Sequence, residues 1–149
     1  MQDSVEPNEV AAIFLLREDG ALLMQHRDNK PGLSHAGMWT PPGGHREAGE
    51  AIESCARREL REETGYDCSE LSRLTSLMDD HVAGHPPYLL TVFCARYDGT
   101  QPLRCLEGQA LEFIEREQQS DYEIPQYLIA IWDQAIAALR KQLENAQGV

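Results

Sequence analysis

Three glutamates, Glu59, Glu62 and Glu63, stand at i, i+3 and i+4 in a segment whose apolar residues Ile52, Cys55, Ala56 and Leu60 recur at helical spacing. The spacing predicts an amphipathic helix of about four turns running from Ala51 and stopped by Gly65, with all three carboxylates near its C-terminal end and on nearly one face. Like charges so placed repel by about 0.2–0.5 kcal/mol per pair, and each negative charge in a last turn opposes the helix dipole by about 0.3–1 kcal/mol. Such a cluster calls for an offset. One is solvation and pairing with Arg57, Arg58 and Arg61, since charge-rich helix faces are usually just wet. The other is a hard divalent cation: Mg²⁺ takes oxygen ligands, keeps several waters, and binds through one or two carboxylates together with substrate phosphates.

Around this helix the chain alternates strand and helix patterns. Val10 to Leu16 is an apolar run that meets the turn signal Asp19-Gly20, and Ala21 to Gln25 resumes it, which predicts a β-hairpin. Residues 28–37 are rich in turn formers and read as a loop; Met38-Trp39-Thr40 then leads into Pro41-Pro42-Gly43-Gly44, a cluster expected to form no regular structure. The glycines of that cluster offer backbone groups able to approach metal and phosphate closely. Leu71 to Met78, Tyr88 to Tyr97 and the short Leu111 to Ile114 read as strands, and Pro125 to Leu143 as a last helix with Ile129, Trp132, Ile136 and Leu139 on one stripe. The order β-β-α-β-β-β-α predicts an α/β layered domain on a mixed sheet, one domain over residues 1–149.

Composition narrows the partners. A hydrophobic fraction of 42% and a charged fraction of 26% are those of a soluble globular protein, and no apolar run is long enough to span a bilayer. The N-terminal MQDSVEPNEV is acidic and polar where a secretory signal would be basic and then apolar, so a cytoplasmic location is expected. Cys55, Cys68, Cys94 and Cys105 are widely spaced and form no CxxC pair, which suits reduced, small apolar residues in a cytosol. A formal net charge of −12 opposes binding of nucleic-acid polymers. An acidic protein that binds phosphates needs a local cation, from an Arg and Lys cluster or a bound metal.

The full spacing decides between the two offsets. From Gly44 the chain reads GHREAGEAIESCARRELREETGY: a Gly, five residues, Glu50, seven residues, Arg58-Glu59-Leu60, one residue, Glu62-Glu63, one residue, then Gly65 and the bulky Tyr66. A chance match to its seven fixed residue types is on the order of one in a hundred million at any one position. Residues 44–66 match the Nudix box at every fixed position, and the chain resembles the Nudix hydrolase family. The lead-in Gly37-Met38-Trp39-Thr40-Pro41-Pro42-Gly43-Gly44 and the downstream Glu107-Gly108-Gln109 with Phe113 look like those of MutT-like members. The resemblance implies a Nudix fold, a mixed β-sheet sandwiched between helices (α/β/α). It implies metal ligation by Glu59, Glu62, Glu63 and the Gly43 carbonyl, with Glu107 added when substrate is present, and Mg²⁺ as cofactor, with Mn²⁺ as an alternative. Arg58 is expected to position the box through a pair with Glu50, and Gly65 to end the helix. The implied reaction is in-line attack of an activated water on phosphorus. Glu59 is the expected general base and Glu107 the second choice, with Arg58 and Glu62 in the catalytic set.

The substrate is expected to be a nucleoside diphosphate linked to another group: first a nucleoside triphosphate giving monophosphate and pyrophosphate, second a nucleotide sugar. The chain is expected to act as a monomer or homodimer. A binding module of the same fold without catalysis is the alternative from another class; in such modules the box acids are usually eroded, and here none is missing. Arg27 and Lys30, Gly44 and His45 are candidate phosphate or ribose contacts, and Trp39, Tyr88 and Phe113 could stack a base, although aromatics beside a loop also serve as core. Asp79, Asp80, His81 and His85 read as a polar loop rather than a second metal site. Two departures bear on the base: Ile124-Pro125-Gln126 stands where MutT-like members carry a base-reading asparagine, and Pro86 and Pro87 lie too far along to match the proline of ADP-ribose pyrophosphatases.

Overall fold

Ala11 to Leu16 is apolar at every position, and a strand of that kind must be buried on both faces. A computed structural model describes residues 8–80 and 86–147 and places this run at the centre of the sheet. Strand β1 (Glu9–Leu16) pairs in parallel with β6 (Tyr88–Arg96) along its whole length, from Glu9 opposite Leu89 to Leu16 opposite Arg96. Its side chains then divide by parity. Ala11, Ile13 and Leu15 pack with Leu23, Phe93 and the apolar stripe Cys55, Ala56 and Leu60 of α1 (Ile52–Thr64). Ala12, Phe14 and Leu16 pack with Met24, Val92 and the stripe Leu128, Ile131, Trp132, Ala135 and Leu139 of α2 (Gln126–Gln147). One helix on each face gives the expected α/β/α layering.

The hairpin forms at Asp19-Gly20, where Arg17 N–H donates to the Ala21 carbonyl at 2.9 Å and Gly20 adopts a φ of 90°. The buried Trp132 indole donates to the Gly20 carbonyl at 3.0 Å, tying α2 to the turn. Beyond Leu16 opposite Leu22 the two strands diverge. The second strand, β2 (Leu22–His26), takes β3 (Trp39–Thr40) on the same edge and β7 (Ala110–Ile114) on the other, while β1 takes β4 (Gly43–His45). With β5 (Ser72–Asp79) outside β6, the order along the sheet is β3-β2-β1-β6-β5.

The Pro/Gly cluster corrects an expectation. Gly43 and Gly44 are not irregular; they are strand residues paired with Ala12 and Ala11. A Cβ on Gly43 would overlap the Ala11 carbonyl, so the missing side chain is what lets β4 lie this close to β1. A 3₁₀ helix of about two turns at Arg116–Asp121 also went unforeseen, and α2 continues about a turn past the expected end. Among the described residues no helix is long and apolar enough to cross a membrane.

Candidate active site

Strand β4 delivers the backbone of Gly43-Gly44-His45 to the side of α1 that carries the acids. A Cβ on Gly44 would stand 2.5 Å and 2.6 Å from the two carboxylate oxygens of Glu59, so only glycine permits this approach. Arg58 locks the arrangement. Its Nε and Nη2 donate to Glu50 at 2.7 Å and 3.0 Å, Nη1 donates to Glu59 at 2.9 Å and Glu62 at 3.3 Å, and Nη2 also reaches the His45 carbonyl at 3.1 Å. The guanidinium holds Glu50 down to about 2, well under the usual carboxylate range, and these carboxylates in turn hold Arg58 further in its charged form. Gly65 caps α1 in the left-handed conformation at φ 79°, its N–H donating to the Arg61 carbonyl.

Glu63 lies beneath, 2% exposed. Its Oε1 accepts from the Gln25 amide at 2.7 Å and from the Gly43 N–H at 3.4 Å. Its Oε2 is buried and has no hydrogen-bond partner among the described residues. Burial first, then the neighbouring Glu59 and Glu107 carboxylates, push the Glu63 acid well above its ordinary range, and the Gln25 amide pulls against them. The loop before β7 docks on the end of α1: Leu106 N–H donates to the Glu63 carbonyl at 3.0 Å and Arg104 N–H to the Thr64 carbonyl at 2.9 Å. That docking satisfies carbonyls a helix end leaves open and brings the exposed Glu107 to the same place.

These elements wall a cleft of about 350 Å³ lined by Arg27, Gly43, Gly44, His45, Arg58, Glu59 and Glu107, among others. Glu62 stands on the exposed shoulder of the helix, 58% exposed. Arg27 donates to the Ser34 carbonyl at 2.8 Å, which holds its side chain along the loop that closes one wall. Lys30 and Trp39 do not line the cleft: Lys30 is solvated beside Asp28, and Trp39 stacks on His26 at 4.7 Å with Tyr122 edge-on. Phe113 lies on the α1 side of the sheet against Tyr97 and under the Arg17 guanidinium. Tyr88 does line the cleft, and so does Tyr127 at the start of α2; both donate to Asp79 Oδ2 at 2.7 Å. Burial raises both phenols above their usual range, and the bonds to Asp79 add to it. Asp79 is therefore a buried anchor of the cleft wall; Asp80 follows it, and His81 and His85 lie outside the described residues. Tyr127 and Gln25 were not singled out from the sequence. A polar residue two places after Leu23 in an otherwise apolar strand was the signal for Gln25.

The donor set fits a hard cation. Two carboxylates, Glu59 and Glu63, approach one another, one of them presenting a buried oxygen with no donor, beside a glycine strand that admits nothing larger. Among the described residues no group of three or more acidic, His or Cys side chains is placed to hold a metal ion by itself. An open half-site of oxygens is what Mg²⁺ uses when waters and substrate phosphates complete its shell.

A family model described as NUDIX domain matches residues 6–127. The chain is similar to "Putative ADP-ribose pyrophosphatase YjhB" of Bacillus subtilis (strain 168), 34% identical over 93 residues that cover 59% of this chain and 40% of that protein. The chain spans less than half the length of the curated relatives it matches. Among solved structures it is similar to the NUDIX domain of Shewanella oneidensis NrtR complexed with ADP ribose, with a TM-score of 0.76, 16% identity, and coverage of 93% of this chain and 94% of that one. It is also similar to the MutT protein from Methanosarcina mazei Go1, with a TM-score of 0.74, 18% identity, and coverage of 91% and 98%. At those identities the two structures speak for the fold.

Proposed function

The chain belongs to the NUDIX family, and from that premise we propose that it is a pyrophosphohydrolase dependent on a divalent cation, cleaving a phosphoanhydride in a nucleoside diphosphate derivative. The observation that carries the reading is the buried Glu63 carboxylate, one oxygen of which has no donor among the described residues, close beside the Glu59 carboxylate that lines the cleft. Glu59, Glu62, Glu63 and the Gly43 carbonyl would hold Mg²⁺ or Mn²⁺, joined by Glu107 from the docked loop. When bound, the cation neutralises charge on phosphate oxygens and lowers the pKa of water.

The chain's own residues supply the rest. Glu59, shielded in the cleft and held by Arg58, is the base that accepts the proton of the attacking water; Glu107 is the second candidate. Arg58 is a positioning residue, since its contacts to Glu50, Glu59 and the His45 carbonyl join loop, strand and helix. Gly44 and His45 offer backbone to the phosphates at close range, and Arg27 supplies positive charge on the facing wall. The intact set of box acids favours catalysis over a binding module.

The first substrate reading is a nucleoside triphosphate cleaved to monophosphate and pyrophosphate. A second, ADP-ribose or another nucleotide sugar, draws on the name of the Bacillus relative and on the ADP ribose in the Shewanella structure. A cytoplasmic protein acting on small nucleotides, not on nucleic-acid polymers, is the setting this reading assigns. The test is a panel of standard and oxidised nucleoside triphosphates, nucleotide sugars and dinucleoside polyphosphates, assayed with Mg²⁺, with Mn²⁺ and with EDTA. Hydrolysis of at least one class that ceases in EDTA and returns with metal is expected. No hydrolysis of any class with either metal, or turnover that persists in excess EDTA, would overturn the proposal.

A further inference from the structure

We infer that Gln25 is a positioning residue that fixes how Glu63 meets the divalent cation, holding Oε1 so that only Oε2 is offered; the inference rests on the metal reading above. Gln25 lies on the α1-facing row of β2, where its neighbour Leu23 is apolar, and it is 1% exposed. Its Nε2 donates to Glu63 Oε1 at 2.7 Å, and the Gly43 N–H reaches the same oxygen at 3.4 Å. Both donors end on one carboxylate oxygen. The other has no partner among the described residues, and neither has the Gln25 carbonyl oxygen.

Packing alone does not account for an amide here. A buried amide with its carbonyl unmet offsets part of what its bond to Glu63 contributes, and an apolar side chain of the same length would fill the same space while leaving Glu63 Oε1 only the long Gly43 contact. What the amide adds is direction. A carboxylate with one oxygen held by donors is less free to swing or to chelate with both oxygens, which leaves the other oxygen as its open lone-pair set beside Glu59. Partners that orient ligating carboxylates from behind typically account for about 10–100-fold in metal affinity.

The test is Mn²⁺ binding by titration calorimetry, with melting in EDTA as a separate measure of folding, on wild type, Gln25→Met, Gln25→Leu, Glu63→Gln and the double variant Gln25→Met/Glu63→Gln. Both Gln25 variants should bind Mn²⁺ roughly 10–100-fold more weakly than wild type, and both should melt somewhat lower in EDTA because buried Glu63 loses a donor. In the Glu63→Gln background, Gln25→Met should weaken binding no further, because the two residues act through one contact. Wild-type affinity in either folded Gln25 variant overturns the inference. So does an equal loss of affinity from Gln25→Met in the Glu63→Gln background, the mark of a role that does not run through their contact. If wild type itself binds no Mn²⁺, the metal reading fails first and this inference fails with it.

Discussion

Arg58 and Glu50 form a two-pronged ion pair, Nε to Oε2 at 2.7 Å and Nη2 to Oε1 at 3.0 Å, and the same guanidinium reaches Glu59 in the cleft at 2.9 Å. One arginine thus couples a carboxylate that builds the scaffold to one that faces the chemistry. The two acids should respond differently to loss of charge. Glu50 has its folded pKa depressed from 4.5 to about 2, so its contribution is present above the ordinary carboxylate range and is lost as pH falls toward about 2. Glu50→Gln should lower stability at pH 7 by about 1–3 kcal/mol, and the gap from wild type should narrow between pH 4.5 and about 2. Urea denaturation across that range checks it; a gap that stays constant to the acid end would remove the ion pair as its cause. Glu63→Gln, by contrast, should lose about 100-fold or more in kcat with little loss of stability.

Gly43 and Gly44 are neighbours in one strand with different obstacles, so the same substitution should separate folding from function. A Cβ on Gly43 meets the Ala11 backbone, which cannot yield without parting β4 from β1, whereas a Cβ on Gly44 meets the Glu59 carboxylate, a side chain that can turn away. Gly43→Ala should therefore destabilise by about 1–3 kcal/mol. Gly44→Ala should keep most of the stability and lose most of the activity, because the acid it displaces is the proposed base. Melting temperature and kcat measured side by side decide the matter, and equal stability losses in the two variants would count against the assignment.

How much of this was legible in the sequence depended on whether a local period or a long-range contact set each feature. The parity of β1 and the stripe on α1 follow from periodicity, so the layers could be read directly. The acids and Arg58 were legible because their spacing within one helix fixes which side chains meet. Strands β3 and β4 were not, because two to three residues carry no period; β3 is set by its pairing with Gln25 and His26, and β4 by glycines that let it close on Ala11 and Ala12. The same limit applies to Trp39, Phe113 and Tyr127: composition marks an aromatic, but only the sheet decides that Phe113 belongs to the α1 face, Trp39 to the stack on His26, and Tyr127 to the cleft.

Tyr88 and Tyr127 converge on one oxygen of Asp79 from different elements, joining the start of β6 to the start of α2 across the end of β5. Removing either hydroxyl leaves a buried carboxyl group short of a donor. Tyr127→Phe and Tyr88→Phe should each lower stability by about 1–3 kcal/mol, and the double variant should lose less than the sum because both act on the same atom. Since both rings line the cleft, KM should rise more than kcat falls. Additive losses in chemical denaturation would show that the two tyrosines do not share Asp79 in solution.

The last prediction concerns which bond breaks, because the acidic centre does not itself choose the phosphorus. Hydrolysis of a nucleoside triphosphate by attack at the β-phosphorus expels the nucleoside monophosphate, and the water oxygen ends in pyrophosphate. Attack at the α-phosphorus expels pyrophosphate and leaves the water oxygen in the monophosphate; attack at the γ-phosphorus gives a diphosphate and labelled orthophosphate. The resemblance to MutT-like proteins points to the first route, with Glu59, the proposed base, placing water on the side of phosphorus opposite the departing monophosphate. Running the reaction in ¹⁸O-labelled water and weighing the products should therefore find the label in pyrophosphate and none in the monophosphate. Label in the monophosphate would keep the acidic centre but shift the substrate reading toward the second class, where cleavage of ADP-ribose must give AMP and ribose 5-phosphate. Labelled orthophosphate with no pyrophosphate formed would sink the MutT-like reading, since that outcome needs the terminal phosphate, not the middle one, seated against Glu59.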